Sequence, residues 1–405
     1  MLRPPAVRTD GSNAFAHVSM AERVPRLLRQ TADRNPDAPA VADGLRRLAD
    51  AVADDAPLPH LGLAPDADLW RPIRAAHDGE SWLDTEWLFA EYFAYRMAMD
   101  AARYLDSGRD PFAPFKRDEM ASDALWDALA DGLDDRDGGE GAVARALRRA
   151  LWGNRLDLSI AASAAQGTEA REDDLLADHA EAAEAVLRRS PPGTVHVVMD
   201  NAGTEQALDY VVTDLLLAHG LAERVVLHVK ALPVLVSDAT VPDVHTLLRL
   251  MADRGGAPAA LAGRLRGAME TGRLRVVPDA FWNTPRRFWD LPPRLAEAFA
   301  GASLVLLKGD ANYRRASNDA IWPLDATLAD ALGPVPSPVV ALRTIKSDTL
   351  VGVDADRQRA LDAAEPGWRT RGTYGVVQLV EPAAREGHEA TAGRTAAPGP
   401  ARTLR

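Results

Sequence analysis

The sequence predicts an α/β fold: a doubly wound, mainly parallel sheet flanked by helices, with a helical N-terminal region. Two observations indicate this class. After residue 190, short continuous apolar and β-branched runs alternate with amphipathic segments, which is typical of buried parallel strands joined by helices. Before residue 190, apolar residues recur at helical spacing within segments rich in Ala, Leu and Arg.

The clearest helix of the first half lies within residues 81–104. Its apolar residues recur at spacings of seven, four and four, and they are Trp82, Phe89, Phe93 and Met97. This spacing marks one face of an amphipathic helix. Residues 121–133 and 141–152 continue the helical pattern, and the Gly- and Asp-rich stretch 134–141 predicts an exposed loop between them.

Six apolar runs in the second half predict strands, at residues 194–199, 224–229, 273–277, 303–307, 338–342 and 375–380. Helical segments between them are predicted at residues 205–218, 244–254 and 292–300. The sequence therefore divides into a mainly helical region at 1–190 and an α/β domain at 191–383. A disordered tail is predicted at 384–405, which is rich in Ala, Arg, Gly, Pro and Thr.

Composition excludes several kinds of site and partner. The 405-residue chain has no cysteine, so it has neither disulfides nor thiolate zinc sites. Asp and Glu number 59 against 47 for Lys and Arg, and the net charge of −12 disfavours binding to nucleic acid or an anionic membrane. Charges interrupt every apolar run before it reaches about 20 residues, and no secretory signal is visible, which predicts a cytoplasmic protein.

Polar residues follow the predicted strands, where an open α/β sheet collects its ligands. Asp200 and Asn201 come directly after one run, and Asp238 follows the loop after the next. Two carboxylates and an amide suit an oxygen-preferring cation such as Mg²⁺ or Mn²⁺. The alternative is that these residues cap helices or form turns.

A second group of polar residues has the chemistry of a phosphate site. Residues 308–315 follow the run 303–307 and combine a lysine, a carboxylate, an amide and two arginines, of which the arginine fork matches phosphate. Lys346 lies just after another run, in a chain with only four lysines. A solvated loop and an ordinary surface lysine are the alternatives. Patterns of nucleotide-binding loops, HExxH and GxSxG are absent from the sequence.

Several strings resemble, in order and spacing, those of the metal-dependent damage-control phosphatases, also called the acidic-residue methyltransferase-like family. They are DNAGTE, VSDAT, LLKGDANYRR and ALRTIKSDTLVGV, with WLFAEYFAYR, LWGNRLDLS, FWNTP and GTYGVVQ flanking them. The resemblance covers roughly residues 81–380. It implies an α/β sheet domain joined to a helical region, in agreement with the pattern described above.

The resemblance also implies roles for individual residues. The metal ligands would be Asp200, Asn201 and Asp238, which with Asp310 form the catalytic set. The substrate and phosphate contacts would be Glu205, Asp310, Asn312, Arg314 and Lys346, with Glu91 and Asn154 reaching the pocket from the helical region. Residues 343–346 resemble the RTxK motif of the sugar-phosphate subfamily.

The implied activity is hydrolysis of sugar phosphates such as fructose 1-phosphate, supported by Mn²⁺, Co²⁺, Ni²⁺ or Mg²⁺. The partner would be a small phosphorylated sugar, and the oligomeric state is left open. One alternative is a carboxyl O-methyltransferase that uses S-adenosylmethionine, against which no glycine-rich loop follows the first strand. The other is a non-enzymatic module that binds sugar phosphate or metal.

Overall fold

The computed structural model describes residues 2–62, 64–134, 139–153 and 172–383. The predicted α/β class is confirmed, because the described residues contain a seven-stranded sheet with helices packed around it. The strands are β1 (Leu175–Asp178), β2 (Gly193–Val198), β3 (Ala222–Lys230), β4 (Leu274–Asp279), β5 (Ala302–Lys308), β6 (Val339–Thr344) and β7 (Gly375–Val380). The predicted tail 384–405 and part of the predicted loop 134–141 lie outside the described residues.

The strand order is β1-β7-β6-β5-β2-β3-β4. Neighbours from β6 through β4 are parallel, whereas β7 pairs with β6 in the antiparallel sense and β1 runs with β7. Strand β2 lies between β3 and β5, so the connections diverge at its carboxyl end. A crevice at such a switch point is where doubly wound sheets bind ligands.

Helices surround the sheet and form the N-terminal region. Those of the first half are α1 (Ala14–Val18), α2 (Val24–Asp33), α3 (Pro39–Ala53), α4 (Ala67–Ala75), α5 (Trp87–Ala101), α6 (Tyr104–Ser107), α7 (Ala113–Met120), α8 (Asp123–Leu133) and α9 (Ala142–Trp152). Those of the second half are α10 (Ala180–Arg189), α11 (Thr204–Ala218), α12 (Val241–Arg254), α13 (Gly256–Glu270), α14 (Pro293–Ala300), α15 (Gly309–Ala316), α16 (Leu328–Leu332) and α17 (Ala355–Ala364). No helix in the described ranges is both long and apolar enough to cross a bilayer.

Helix α5 is shorter than the predicted 81–104. Ser81 forms isolated bridges with Pro57 and Asp84, so the chain is extended there and the helix begins only at Trp87. The helix ends before Arg103, whose φ of 50° lies in the left-handed region. The helix is therefore shorter than its apolar pattern indicates, because backbone pairing precedes it and a left-handed residue follows it.

The sheet separates two apolar cores. Alternate residues of β5 face opposite sides, with Leu304 and Leu306 in one core and Val305 and Leu307 in the other. All four are essentially buried. Burial on both faces explains why the strands read as continuous apolar runs.

Helices α8 and α9 belong to the sheet rather than to the N-terminal helices. Leu129 and Leu147 share a core with β2 and β3, and α9 contacts β6 and β7. Strand β1 and helix α10 also lie before residue 191. The elements that pack with the sheet therefore begin before residue 190. The division of the chain into two domains at that residue stays a prediction.

A third core joins α1–α5 to the loop between β3 and α12. Val234 and Val236 from this loop pack among the N-terminal helices. Leu235 and Val236 have φ values of 50° and 67°, a conformation that is strained for residues with a β-carbon and most of all for β-branched valine. The loop leads to Asp238, so packing against the helical region holds a strained segment next to a predicted site residue.

Two histidines form a buried pair on β2 and β3. His196 Nδ1 and His228 Nε2 are 2.8 Å apart, and both rings pack against Phe299. Burial lowers the pKa of His196 to about 4 and, with the neighbouring imidazole, lowers that of His228 to about 3. Both rings are therefore neutral at pH 7.

This pair predicts acid lability. Because the folded-state pKa values lie below the unfolded value near 6.5, the unfolded chain binds more protons as pH falls. The free energy of unfolding should drop between pH 6.5 and pH 4, by on the order of 3 kcal/mol for each ring. Urea unfolding at several pH values measures this slope.

The matched variants are His196→Phe/His228→Phe, which removes both partners together, and His245→Asn, which changes an exposed histidine. The double variant should flatten the pH dependence, and His245→Asn should leave it as in the wild type. Equal slopes in all three proteins would contradict this role of the pair.

Candidate active site

A cavity lies at the carboxyl edge of the parallel strands, between the sheet and the N-terminal helices. Seven of its lining residues carry formal charge, namely Arg23, Glu91, Asp200, Asp238, Asp310, Arg314 and Lys346. The others are Phe15, Trp87, Tyr95, Asn201, Leu235 and Ala311. The cavity therefore occupies the place that the strand order predicts for a ligand.

Backbone pairing brings the three predicted metal ligands to one end of this cavity. The segments 200–202 and 237–239 form an antiparallel bridge between Asn201 and Asp238, with backbone hydrogen bonds of 2.7 and 2.8 Å. Asp200, Asn201 and Asp238 are each at most 6% exposed. Two loops that follow different strands are thus fixed against each other.

The amide of Asn201 is held at both ends. Its Nδ2 donates to Glu205 Oε2 at 3.0 Å, and its Oδ1 accepts from Ser237 Oγ at 2.6 Å. These bonds orient the amide oxygen, which keeps a second lone pair for a ligand. Glu205 therefore lies behind Asn201 and does not line the cavity.

Lys230, the last residue of β3, lies beside the two carboxylates. Its Nζ is 3.1 Å from Asp238 Oδ2 and 4.0 Å from Asp200 Oδ1. Burial alone would lower the pKa of this lysine, but Asp238 and Asp200 raise it above its usual value. A buried ammonium thus compensates the two carboxylates.

Gly309, the first residue of α15, makes room for the Asp200 carboxylate. A β-carbon at this position would lie 1.8 Å from Asp200 Oδ2, and φ is +80°. Only glycine satisfies both conditions without displacing the carboxylate.

Gly309→Ala should therefore weaken Mn²⁺ binding at least about tenfold, because a displaced ligand costs on the order of 1.4 kcal/mol or more. Gly272→Ala is the matched control, since its φ is +71° and nothing lies within 4 Å of an added β-carbon. Both variants should lose about 1 kcal/mol of stability from the left-handed backbone. Calorimetric titration with Mn²⁺ and thermal unfolding separate the two effects, and equal Mn²⁺ affinities would exclude this role of Gly309.

Two arginines, Arg23 and Arg314, also line the cavity. Arg314 donates a forked pair of hydrogen bonds to Asp319 at 2.7 and 2.9 Å and a third to Glu91 at 2.5 Å. Its guanidinium also lies 3.7 Å from the centroid of the Trp87 ring. Burial opposes its charge, but Asp319 and Glu91 hold the pKa of Arg314 well above its usual value.

Asp310 and Lys346 line the cavity as well. Arg343 Nε donates to Asp310 Oδ1 at 2.8 Å, and Arg343 also donates to Ser347 Oγ at 2.6 Å. Lys346 follows β6, is 2% exposed and lines the cavity. The RTxK segment thus contributes two residues to the site, one that positions Asp310 and one on the cavity wall.

The donor set fits an oxygen-preferring divalent ion that keeps water ligands. Among the described residues, no three His, Cys, Asp or Glu side chains form a metal-binding group, so the amide oxygen of Asn201 would be needed beside the two carboxylates. Four carboxylates and three cationic side chains line the cavity, which gives a formal charge of −1. A divalent cation would change this charge to +1 and make the cavity attractive to a phosphate dianion.

Comparison with known proteins identifies the family of this chain. The family model described as "Damage-control phosphatase ARMT1-like domain" matches residues 17–361. The chain belongs to this family. Relatives named Damage-control phosphatase ARMT1 include those of Danio rerio, 27% identical over 94% of this chain and 98% of the relative, and Rattus norvegicus, 28% identical over 91% and 97%. A crystal structure of a DUF89 family protein from Pyrococcus horikoshii aligns with TM-score 0.46 and 14% identity, covering 85% of this chain and 94% of that one.

In this ARMT1-like chain, the cavity contains most of the predicted site residues. Asp200, Asn201, Asp238, Asp310, Arg314, Lys346 and Glu91 line it. Asn312 lies behind it and donates to the carbonyls of Lys308 at 2.8 Å and Met199 at 3.3 Å. Asn154 lies outside the described residues.

Sequence reasoning missed five lining residues of the ARMT1-like site. They are Phe15, Arg23, Trp87, Tyr95 and Leu235. Trp87 and Tyr95 flank Glu91 at spacings of four, so the buried acidic residue Glu91 marks the cavity face of α5. Phe15 and Arg23 carried no such signal.

The four lysines of this ARMT1-like chain are all at most 2% exposed. Lys308 donates to Glu205 Oε1 at 3.0 Å, Asp209 Oδ1 at 2.6 Å and the Ala150 carbonyl at 3.1 Å. Lys116 pairs with Asp110 and Asp243. Lys116, Lys230 and Lys308 thus form ion pairs in the interior, and Lys346 lies on the cavity wall.

Proposed function

We propose that the protein hydrolyses phosphomonoesters of small sugars, such as fructose 1-phosphate, to sugar and phosphate with the help of a divalent metal ion. The observation that carries this proposal is one cavity that is lined both by Asp200, Asn201 and Asp238 and by Arg314 and Lys346. Hard oxygen donors opposite cations form a site for a metal ion and a phosphoryl group. Membership of the damage-control phosphatase family supports the same reaction class.

The side chains divide the chemistry between them. A divalent ion held by Asp200, Asn201 and Asp238 would supply positive charge that polarises a phosphoryl oxygen. Arg314 presents a planar guanidinium and Lys346 a compact ammonium to the remaining oxygens, and both stabilise charge on the transferring group. Asp310, fixed by Arg343, is placed to accept a hydrogen bond from the sugar or from a water.

Phosphate release by metal-stripped protein tests this function. A panel of sugar phosphates, including fructose 1-phosphate, is assayed with no added metal and with Mn²⁺, Co²⁺, Ni²⁺ or Mg²⁺. We expect release only with added metal, and the panel ranks the sugars. Absence of release with every metal, from protein shown to be folded by circular dichroism, would overturn the proposal and direct the next test to S-adenosylmethionine binding.

A further inference from the structure

The N-terminal segment Ala14–Arg23 lies over the cavity, and the mechanism proposed above does not use it. The segment consists of α1 and a π-helical turn at Ser19–Arg23. Two of its residues, Phe15 and Arg23, line the cavity. π-Helical turns are rare and concentrate at functional sites.

Arg23 is held at the cavity by two partners. Its Nε and Nη2 donate to Ser19 Oγ at 3.1 and 2.8 Å, and Nη2 also donates to Glu91 Oε1. The other oxygen of Glu91 accepts from Arg314 Nη1 at 2.5 Å. One buried carboxylate therefore receives two guanidinium groups from opposite parts of the chain.

The aromatic residues connect the same elements. Phe15 meets the Trp87 ring edge to face, with centroids 5.7 Å apart, and the Arg314 guanidinium lies 3.7 Å from the centroid of the same ring. The N-terminal segment thus reaches Arg314 by two routes, through Glu91 and through Trp87. Arg23 is 21% exposed at its side chain, whereas Glu91 is 3% exposed, so the arginine has room to turn and the carboxylate does not.

Two converging guanidinium groups match the oxygens of a phosphate better than those of one carboxylate. Phosphate has three peripheral oxygens and carries up to two negative charges, whereas Glu91 offers two oxygens and one charge. Arg314 would keep its forked bond to Asp319, and Arg23 would keep its bonds to Ser19, if both turned from Glu91 to another anion.

We propose that Arg23 is a substrate-binding residue whose guanidinium exchanges Glu91 for the substrate's phosphate oxygens, so that the segment Ala14–Arg23 stays over the occupied cavity. This inference rests on the proposed function, because it assigns the phosphate of that substrate to both Arg23 and Arg314. Glu91 is then the anion that competes with phosphate, rather than a substrate contact.

Binding of inorganic phosphate to the full chain, measured by calorimetry with and without Mn²⁺, tests the exchange. Arg23→Gln should weaken phosphate binding about tenfold or more, since a charge-assisted hydrogen bond is lost. Arg26→Gln, at an exposed position on the next helix, is the matched control and should bind as the wild type does. Arg23→Lys should fall between them, because the charge remains without the planar fork.

Glu91→Gln tests the competing anion. Ser19 and Asp319 still hold the two arginines in this variant, so phosphate should bind about threefold or more tightly once the carboxylate charge is gone. Weaker binding in Glu91→Gln would overturn the exchange, because Glu91 would then act by positioning the arginines. Phosphate affinity in Arg23→Gln equal to that in Arg26→Gln would overturn the role of Arg23.

Turnover separates this inference from the proposed function. If the wild type hydrolyses sugar phosphates, Arg23→Gln should raise KM more than it lowers kcat, and an unchanged KM would overturn the inference while the phosphatase activity stands. If the wild type hydrolyses none of them, the proposed function fails. Phosphate binding still decides whether Arg23 contacts an anion, and a wild type that binds no phosphate overturns the inference as well.

Discussion

The Asp238→Asn variant is expected to lose metal-dependent phosphate release by about 1,000-fold or more while remaining folded. Asp238 lies at the end of a loop rather than in an apolar core, and it lines the cavity with Asp200 and Asn201. The amide keeps the shape of the side chain but removes a charged oxygen donor. Charge stabilisation by a catalytic metal is worth several kcal/mol, which corresponds to this loss of rate.

Two further measurements make the Asp238 result specific. Calorimetric titration should show weaker Mn²⁺ binding, and thermal unfolding should show a native transition. Asp253→Asn, at an exposed position on α12, serves as the control and should match the wild type in both assays. Wild-type phosphate release and Mn²⁺ affinity in folded Asp238→Asn would remove Asp238 from the site.

The Lys308→Met variant is expected to lose about 3–5 kcal/mol of stability, since breaking a buried ion pair leaves its partners uncompensated. The ammonium is 1% exposed and joins Glu205, Asp209 and the Ala150 carbonyl. Burial raises the pKa of Asp209 to about 7 even beside this lysine. Without the lysine, two buried carboxylates would face each other, and Glu205 would hold the Asn201 amide less firmly.

Urea unfolding measures the loss at Lys308 against an exposed pair. Arg29→Met breaks the pair with Asp50, whose side chains are 46% and 61% exposed, and should cost less than about 1 kcal/mol. Lys308→Met/Asp209→Asn removes one of the two uncompensated carboxylates and should recover part of the stability. A loss no larger than that of Arg29→Met would show that Lys308 is not essential to the interior.

Much of the fold follows from hydrophobic pattern alone. The six apolar runs correspond to β2–β7 because strands buried on both faces consist mainly of apolar residues. Strand β1, Leu175–Asp178, was missed since its apolar run is only three residues long and none of its residues is fully buried. The hydrophobic pattern also could not predict that β7 is antiparallel to β6, because strand direction depends on the connections between strands rather than on composition.

The site residues that directly follow a strand could be predicted from the sequence. Asp200 and Lys346 each follow a strand by two residues, and Gly309 opens the helix after β5. Their convergence results from parallel strands ending at one edge. Site residues that come from distant parts of the chain could not be predicted in this way. Arg23 reaches the cavity only because the N-terminal helices pack on the loop at Val234 and Val236, and no spacing in the sequence encodes that contact.

The burial of every lysine has a consequence for covalent chemistry at the surface. The native protein presents its basic side chains to solvent as guanidinium groups, because Lys116, Lys230, Lys308 and Lys346 are each at most 2% exposed. Lysine-modifying enzymes therefore meet no side-chain amine on the outer surface of the folded chain, and Lys346 is reached only through the cavity. Modification of Lys308 would in turn leave Asp209 and Glu205 unneutralised and prevent reclosure. Acylation of the interior lysines therefore requires unfolding, and a chain acylated at Lys308 would not refold.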